Sequence, residues 1–418
     1  MLHSAKYPLK ISDNKRYLVD QNGSPFLLQG EAAWSLIARA TKEDVETYLK
    51  NRAEKGFNTV LVNILEHWFA DKPPENLYGV EPFSIPNNFA APNEMYFEHV
   101  DWVINKAAQY NIQVLLAPMY LGYPGTDEGW FNEILAASLS QCLEYGAYLG
   151  KRYADFDNIL WSIGADRNPS APGLLERLDL IALGIKEHDR RHLMTAQCEP
   201  ESSSMDQFST GGWVDFDAVY TYGIVHRKLT IEYYRKPTMP IFLIESTYEG
   251  EHNSSPAQIR RQAYWSVLCG GFGHIFGSFP VDVSAKGWMS SLETPGAFSM
   301  MRWGRLLGPH KWYDLIPDQK HQVVTDGLGE FRGLDFLSAS FSQDMSTLIA
   351  YMPNARTITV DHSKLKGTKL RAWWYNPGTG ESSNAGEFST KSAVKHIPPK
   401  DGDWVFILED ASERQPSF

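Results

Sequence analysis

The chain has 418 residues, of which 43% are hydrophobic and 13% aromatic, and its formal net charge is −11. This length favours one large and one small domain, and the negative charge argues against nucleic acid or an anionic membrane as a partner, since both attract basic surfaces. The three cysteines, Cys142, Cys198 and Cys269, are widely spaced, which argues against a disulfide framework or a structural zinc site and predicts buried thiols at Cys198 and Cys269.

The N-terminal segment and the apolar stretches bear on where the protein is located. After Met1 no apolar leader follows, and no stretch of sequence is long enough to span a bilayer. We therefore expect a cytoplasmic protein if Met1 is the true start, and a periplasmic or secreted one if a signal peptide has been removed.

The first predicted elements are a hairpin and a helix. Residues 16–20 and 25–28 flank an Asn-Gly turn, which is the usual pattern of a hairpin. The spacing Thr41-x-x-Asp44 predicts a helix start, and the helix is expected to end at Gly56. Further along the chain, Ser255-Pro256 predicts the start of a helix that runs to Leu268.

Strands and helices alternate through the first three quarters of the chain. The predicted strands begin near Leu27, Thr59, Gln113, Ile159, Leu193, Ala218, Ile241 and His274. Eight strands separated by helices are typical of a (β/α)₈ TIM barrel. The alternative is a doubly wound open sheet, which usually has fewer strands and a glycine-rich phosphate loop, and no G-x-G-x-x-G follows a strand here.

The pattern changes after about residue 315. Short alternating runs replace the helical periodicity, at residues 346–351, 356–360, 370–375 and 404–408. Turn-rich segments separate them, as expected for a small antiparallel β-sandwich. We therefore predict a barrel domain over residues 1–315 and a β-sandwich domain over residues 316–418.

Two acids stand at the ends of predicted barrel strands. The apolar run 240–244 ends in Glu245, and the strand 158–163 runs through Gly164-Ala165 into Asp166. Active sites of such barrels lie at the C-terminal ends of the strands, and a pair of carboxyl groups is what glycosidic bond cleavage requires. The pattern predicts a glycoside hydrolase, retaining or inverting according to the carboxyl separation. The alternative is a structural acid, for example one paired with Arg167.

Other strand-end residues offer hydroxyl-binding groups or stacking faces for a sugar. These candidate substrate-binding residues are Glu31, Trp34, Asn63, Glu66, Tyr120, Arg167, Gln197, Glu199, Tyr220 and Tyr222. Glu66, His67 and His226 are residue types that can bind a metal. However, the sequence has no His-x-x-x-His motif and no tight cluster of such residues. Gly-x-Ser-x-Gly is also absent. We predict neither a metal nor a cofactor.

Several motifs resemble those of the apiosidase-like glycoside hydrolases (family 140). The segments that carry the resemblance are residues 17–26, 30–34, 52–58, 158–166, 244–245, 258–265 and, in the tail, 372–380. The resemblance implies a (β/α)₈ barrel followed by a β-sandwich once labelled collagen-binding. It also implies a retaining mechanism with Asp166 as the acid/base and Glu245 as the nucleophile.

Two departures from the family pattern bear on specificity. Family members typically read Gly-Asp-Thr-Ala-Trp at the end of the first strand, where this chain has Gly30-Glu31-Ala32-Ala33-Trp34. The fourth strand often ends Gly-Gly-Asp, where this chain has Gly164-Ala165-Asp166. The longer acid and the lost hydroxyl at positions 31 and 32 predict a different sugar in the innermost pocket.

The sequence thus predicts an exo-acting, retaining glycosidase that releases a terminal furanose or deoxy sugar. The partner is a carbohydrate, and the β-sandwich is expected to pack on the barrel and contribute to the pocket rim. Two alternatives stay open: a carbohydrate-binding barrel without turnover, and an inverting glycosidase that uses the same two acids.

Overall fold

The computed structural model describes residues 5–279 and 285–412. Three short strands open the chain and pair in antiparallel fashion: β1 (Lys10–Ile11), β2 (Leu18–Val19) and β3 (Pro25–Phe26). The Asp20 carboxylate accepts the backbone N–H groups of Asn22 and Ser24, at 2.8 and 2.9 Å, and Gly23 adopts a φ of +81°. The predicted hairpin is confirmed, and its turn depends on a glycine because few other residues adopt that backbone conformation.

All eight predicted barrel strands are present, together with one extra short strand. They are β4 (Leu28–Ala32), β5 (Thr59–Asn63), β6 (Gln113–Ala117), β7 (Ile159–Gly164), β8 (Met194–Gln197), β9 (Ser202–Ser203), β10 (Asp217–Tyr220), β11 (Ile241–Glu245) and β12 (Gly273–Phe276). The sheet order is β8-β7-β6-β5-β4-β12-β11-β10-β9, parallel throughout except for β9. This is the predicted (β/α)₈ barrel.

The barrel closes between β8 and β10 through a side chain rather than a regular ladder. The Ser204 hydroxyl donates to the Ala196 carbonyl at 2.8 Å and accepts the Ala218 N–H at 2.9 Å. Just outside the strands, the Asp215 N–H donates to the Met194 carbonyl at 2.8 Å. Backbone groups at this seam are therefore satisfied although the two strands do not pair directly.

Helices cover the outside of the barrel. They are α1 (Lys42–Glu54), α2 (Glu94–Gln109), α3 (Phe131–Ala136), α4 (Leu139–Tyr153), α5 (Leu174–His188), α6 (Ser204–Gln207), α7 (Val225–Tyr234), α8 (Pro256–Leu268), α9 (Trp288–Ser291) and α10 (Pro295–Leu307), with 3₁₀ turns at Glu251–Asn253, Trp312–Asp314 and His362–Lys364. Both predicted helix starts are confirmed. Thr41 and Ser255 accept the N–H groups of Asp44 and Gln258, at 3.0 and 3.3 Å.

Strand alternation decides which side chains enter the barrel. Leu61, Leu115 and Leu160 pack with the inner cluster of the barrel, whereas Val60 and Val62 pack with the helices outside. Because side chains alternate along a strand, Asn63 continues the inward row of β5. Asn63 thus lies at the C-terminal end of the inward row, above the apolar layer that Leu61, Leu115 and Leu160 form.

The C-terminal region consists of two antiparallel sheets. Its strands are β13 (Leu315–Pro317), β14 (Val324–Asp326), β15 (Ser338–Ser342), β16 (Thr347–Met352), β17 (Ile358–Asp361), β18 (Lys369–Tyr375), β19 (Ser382–Ser389), β20 (Ala393–His396) and β21 (Trp404–Asp410). The larger sheet has the order β13-β15-β16-β21-β18-β19, and the smaller has the order β14-β17-β20. The predicted antiparallel β-sandwich is confirmed.

The larger sheet uses its two faces for two different cores. In β16, Leu348 and Ala350 face the smaller sheet, while Ile349 and Tyr351 join the apolar cluster of the barrel. The Tyr351 ring stacks on Tyr264 of α8, with centroids 4.8 Å apart. This packing explains why α8 is buried on both sides, against the barrel and against the sandwich.

Neither a membrane-spanning helix nor a cluster of metal ligands is found in the described part of the chain. Over residues 5–279 and 285–412, no helix is long and apolar enough to cross a bilayer, and no three His, Cys, Asp or Glu side chains are grouped as a cation would need. The three cysteines are free and buried, as predicted for Cys198 and Cys269.

Candidate active site

Asp166 lies on an unusual piece of backbone at the end of β7. Gly164, Ala165 and Asp166 have φ angles of +88°, +95° and +63° in succession. Two of these are non-glycine residues, and such residues rarely adopt positive φ. Backbone of this kind costs on the order of 1–3 kcal/mol per residue and tends to occur at functional sites. It turns the Asp166 side chain from the strand direction into the barrel mouth.

The Asp166 carboxyl group is buried and sparsely hydrogen-bonded. Its Oδ2 accepts the Tyr120 hydroxyl at 3.3 Å, while Oδ1 has no partner among the described residues. Burial raises the pKa of Asp166 to about 6; the charge of Glu128 also raises it, and Tyr220, Tyr120 and Arg167 oppose the rise. Burial is the main cause of this raised pKa.

Glu245 ends β11 on the inward side and receives neutral donors. The Gln197 amide donates to its Oε2, and hydrogen bonds from Tyr248 and Tyr220 also favour its ionised form. Burial and the nearby Asp166 charge nevertheless raise the pKa of Glu245 well above its usual value. The Trp34 indole donates to the Tyr248 hydroxyl at 3.0 Å, so Trp34 supports Glu245 through Tyr248.

Tyr220 joins the two acids. Hydrogen bonding by its hydroxyl lowers the pKa of both Asp166 and Glu245, and its own residue pairs with Glu245 in the β10–β11 register. The charge of Asp166 also raises the pKa of Glu245, and two acids that interact in this way lose their protons in two separate steps. Between those steps the pair carries one proton.

Tyr120 links Asp166 to a further acid. Its hydroxyl lies 2.9 Å from Glu128 Oε1 and 3.3 Å from Asp166 Oδ2. One hydroxyl proton cannot serve two carboxylates at once. When Tyr120 donates to Glu128, a protonated Asp166 can donate to the Tyr120 oxygen, so this arrangement favours the proton on Asp166.

Arg167 and Glu199 form a rigid pair beside Asp166. Arg167 Nη1 donates to Glu199, and Asn168 contributes a second hydrogen bond to the same carboxylate at 3.3 Å. The guanidinium also lies over the Tyr123 ring, with Cζ 3.9 Å from the centroid. Arg167 is thus held in place at the mouth, with its charge balanced by Glu199 rather than by Asp166.

Asn63 and Glu66 form a buried polar pair at the end of β5. The Asn63 amide donates to Glu66 Oε1, and burial raises the pKa of Glu66 to about 8. Glu66 is therefore mainly protonated at neutral pH and acts as a neutral hydrogen-bonding group. The carbonyl of the preceding residue, Leu65, accepts the Tyr120 backbone N–H at 3.0 Å, which places the pair next to the Tyr120–Asp166 contact.

Glu31 does not join this site, contrary to its prediction as a substrate-binding residue. Arg52 of α1 donates to its Oε1 at 2.7 Å and Tyr48 to its Oε2 at 2.9 Å. Glu31 pairs in register with Val60, which packs with the outer helices, so the pleat directs its side chain away from the mouth. The extra methylene at position 31 adjusts this outer contact and carries no information on the sugar.

Tyr222 lies at the rim of the mouth and is 38% exposed. Its hydroxyl donates to Glu251 at 3.1 Å, and its ring lies 5.6 Å from Tyr220. Glu251 also accepts the Tyr248 N–H at 2.9 Å. The structure thus brings nine of the ten predicted binding residues to the mouth, in direct or relayed contact with the two acids.

Three residues of the site were not predicted from the sequence: Glu128, Tyr248 and Glu251. Glu128 and Tyr248 lie in loops and Glu251 begins a 3₁₀ turn, and neither periodicity nor a strand end marks any of the three. For Tyr248 a weak signal existed, because it follows Glu245 by three residues. The space for its ring comes from Gly277, where a side-chain Cβ would lie 2.4 Å from the Tyr248 ring.

Comparisons with known proteins agree with this architecture. A family model described as "Apiosidase-like, catalytic domain" matches residues 12–314, and one described as "Putative collagen-binding domain of a collagenase" matches residues 316–409. Comparison with curated proteins returned no match.

Solved structures similar to this chain are glycoside hydrolases. One described as a glycoside hydrolase is 26% identical, with a TM-score of 0.86 and 98% of each chain covered. A glycoside hydrolase family 5 protein from Bacteroides vulgatus is also 26% identical, with a TM-score of 0.85 and 98% and 96% coverage. An endo-1,4-β-mannanase from Rhizomucor miehei shares only the fold, at 13% identity and a TM-score of 0.50 over 69% of this chain and 98% of its own.

The family match spans most of the chain, and both full-length structural relatives are named as glycoside hydrolases. The predicted enzyme class is confirmed: the chain belongs to the apiosidase-like glycoside hydrolases.

Proposed function

We propose that this enzyme is a retaining, exo-acting glycosidase that uses Glu245 as the nucleophile and Asp166 as the acid/base. The observation that carries the proposal is Gln197, which pairs with Gly164 in the β7–β8 register and donates through its amide to Glu245 Oε2. The strand end that leads into Asp166 and the strand end that carries Glu245 therefore meet at one side chain. A retaining mechanism requires the two carboxyl groups to lie roughly 5–5.5 Å apart and an inverting mechanism roughly 6.5–9.5 Å, and the family match supports the first.

Glu245 suits the role of nucleophile because its neighbours stabilise a carboxylate. Gln197 donates to one oxygen and Tyr248 and Tyr220 also act on the group. In the first step the Glu245 oxygen forms a bond to the anomeric carbon as the bond to the leaving oxygen breaks. In the second step water displaces Glu245 from the glycosyl-enzyme.

Asp166 suits the role of acid/base because it holds a proton and keeps one oxygen free. Burial and Glu128 raise its pKa, and Oδ1 is without a partner in the described structure. Asp166 donates its proton to the leaving oxygen in the first step. It then accepts a proton from the attacking water in the second step.

The polar residues around the acids support binding of a terminal sugar. Trp34, Asn63, Glu66, Gln197 and Tyr220 are all buried at the mouth, and they offer an aromatic wall with hydroxyl, amide and carboxyl groups for sugar hydroxyls. Arg167 and Glu199 lie next to them, closer to solvent. We propose a furanose or a deoxy sugar as the terminal unit.

A panel of aryl glycosides tests this function: apiosides, arabinofuranosides, fucosides, rhamnosides and galactosides. We expect wild-type enzyme to hydrolyse one of them, and Glu245→Gln to lose several orders of magnitude in kcat. Asp217→Asn is the matched control, because Asp217 is also a buried acid with a raised pKa, about 7, but lies at the opposite end of β10. Equal losses in Asp217→Asn and Glu245→Gln would contradict the assignment.

A further inference from the structure

Exposed aromatic side chains gather around the barrel mouth. Seven aromatic residues are exposed among those described, and five of them lie on loops that follow barrel strands. Four of these five follow the end of a strand by six residues or fewer: Trp68, Tyr123, Tyr222 and Phe279. A single exposed ring is ordinary on a protein surface, whereas a group of exposed apolar side chains can mark a binding site. Two of the four, Tyr123 and Trp68, belong to the side of the mouth where Asp166 stands.

Tyr123 is held so that only one face of its ring is open. The Arg167 guanidinium covers the other face at 3.9 Å, and Arg167 is itself fixed by Glu199 and by the Gly122 carbonyl at 3.3 Å. The ring nevertheless stays 43% exposed. A flat, immobilised aromatic face of this kind loses little conformational entropy when a ligand stacks on it.

The loop that carries Tyr123 is anchored at both ends. Thr126 donates through its hydroxyl to the Tyr123 carbonyl at 2.8 Å, and Asn132 of α3 donates to the Thr126 carbonyl at 3.0 Å. Gly122 and Gly129 touch so closely that a Cβ at position 122 would lie 2.6 Å from the Gly129 nitrogen. The position of Tyr123 relative to Asp166 is therefore set by the fold.

Trp68 extends the same surface. The backbone N–H of Trp68 donates to the backbone carbonyl of Glu128 at 3.0 Å. This bond fixes the Trp68 backbone next to the Glu128–Tyr120–Asp166 contacts. Its side chain is 64% exposed. Trp68 and Tyr123 thus lie on two loops, after β5 and β6, that are bonded to each other.

We propose that Tyr123, backed by Arg167, and Trp68 form a binding site for the leaving group, and that this group is a neutral saccharide. The inference rests on the proposed function, because the acid that protonates the leaving oxygen must lie next to the leaving group. A pyranose presents an apolar C–H face that stacks on an aromatic ring. A neutral rather than an anionic sugar fits, because Glu199 already balances the Arg167 charge.

Two substrates that share the terminal sugar and differ in their leaving group test whether Tyr123 and Trp68 bind the leaving group. The first is the glycosyl fluoride of the sugar released in the aryl-glycoside panel, whose leaving group is too small to reach Tyr123. The second is the same sugar linked to galactose, whose leaving group offers a C–H face. The variants are Tyr123→Ala, Tyr123→Phe and Trp68→Ala, with Tyr234→Ala as control, since Tyr234 is 55% exposed on α7, outside the strand-end loops.

We expect Tyr123→Ala to lower kcat/KM for the galactoside about tenfold, as the loss of one aromatic contact implies, and to leave the fluoride unchanged. Trp68→Ala should act in the same direction, whereas Tyr123→Phe and Tyr234→Ala should match wild type. Equal losses on both substrates would overturn the proposal, because Tyr123 would then act on the terminal sugar or on Glu245 rather than on the leaving group. Unchanged activity on the galactoside would also overturn it.

The same experiment separates this proposal from the proposed function. If wild-type enzyme releases fluoride and Glu245→Gln does not, the catalytic assignment stands whatever the Tyr123 variants do. If wild type releases no fluoride from any sugar of the panel, the catalytic assignment fails and the leaving-group site fails with it.

Discussion

Glu31 and Glu245 are two buried glutamates at the ends of barrel strands, and they have opposite surroundings. Glu31 lies on the outer side of β4, where Arg52 and Tyr48 occupy its oxygens. Glu245 lies on the inner side of β11, where its partners are the neutral groups of Gln197, Tyr248 and Tyr220 and its charged neighbour is another acid.

The comparison shows how a fold separates a structural acid from a reactive one. A cation neutralises the buried charge of Glu31, so Glu31 fastens α1 to the barrel. The hydrogen bonds that Glu245 receives come from neutral groups and do not offset its burial, so the proposed nucleophile keeps a raised pKa. A shift of one residue along the strand moves a side chain from the inner to the outer face of the barrel. The position of a strand-end glutamate therefore decides whether it faces the mouth or the outer helices.

The largest effect on stability is expected at the Glu31 contact. Arg52→Met leaves Glu31 buried without its cation, which should cost about 3–5 kcal/mol in the free energy of unfolding. Urea denaturation at neutral pH measures this loss. Lys366→Met, at a surface pair with Asp344 in which both side chains are about half exposed, should change little, and a similar loss there would contradict the comparison.

Removal of the charge at Glu245 is expected to stabilise the protein, whereas removal of the cation beside Glu31 destabilises it. Since the folded-state pKa of Glu245 is raised above its ordinary value of 4.5, the native state binds the proton more tightly than the unfolded state. Its stabilising contribution is complete below pH 4.5 and is lost as pH rises through the raised pKa. Glu245→Gln should therefore gain thermal stability relative to wild type as pH rises.

Melting temperatures of both proteins at pH 4 and pH 8 test this sign. We expect the advantage of Glu245→Gln to be larger at pH 8, and Glu31→Gln to melt below wild type at pH 8, because it leaves Arg52 without an anionic partner. A Glu245→Gln protein that is less stable than wild type at pH 8 would show that Glu245 is a structural acid like Glu31.

A smaller gain is expected next to Asp166. Ala165 has a φ of +95°, which glycine adopts without strain, so Ala165→Gly should stabilise the native state by about 1 kcal/mol. Greater freedom of the unfolded chain reduces the gain. Denaturant titration measures the difference, and Ala33→Gly, at another buried residue of the mouth, should instead destabilise. A loss of stability in Ala165→Gly would mean that no strain is stored there.

The smallest effect concerns the pH profile. Asp166 must hold its proton to act as the acid, and its pKa is raised to about 6, so kcat/KM should fall as pH rises through about 6. Because the charge of Glu128 raises the pKa of Asp166 and that of Arg167 lowers it, Glu128→Gln should move the falling limb to lower pH. Arg167→Gln should move it to higher pH.

Initial rates on the aryl glycoside between pH 4 and pH 9 locate the falling limb of kcat/KM for wild type and for both variants. A shift of the falling limb in the same direction in both variants would contradict the electrostatic explanation. A profile with no falling limb would remove Asp166 as the proton donor.

The sequence predicts the barrel well because its signals are local. Short apolar segments and their spacing mark all eight strands, and residues such as Thr41 and Ser255 mark helix starts. Asp166 and Glu245 also come from local reasoning, since each follows such a run. Glu31 is misassigned for the same reason: a run of apolar residues does not show which side of the strand faces the mouth.

The remaining parts of the site depend on contacts between distant segments. Tyr248 reaches Glu245 because Trp34 binds its hydroxyl and Gly277 leaves space for its ring. Glu128 approaches Asp166 only through Tyr120. These contacts join loops after different strands, and no pattern within one loop encodes them.

The central claim is that Glu245, and not another acid, attacks the sugar. It is tested most directly by trapping the enzyme with the 2-deoxy-2-fluoro glycosyl fluoride of the sugar that the aryl-glycoside panel identifies, followed by peptide mass spectrometry. Fluorine slows the second step, so a covalent glycosyl-enzyme should accumulate with the sugar attached to Glu245. A label on a different carboxylate, or an unlabelled enzyme whose natural product first appears with inverted configuration, would contradict the account.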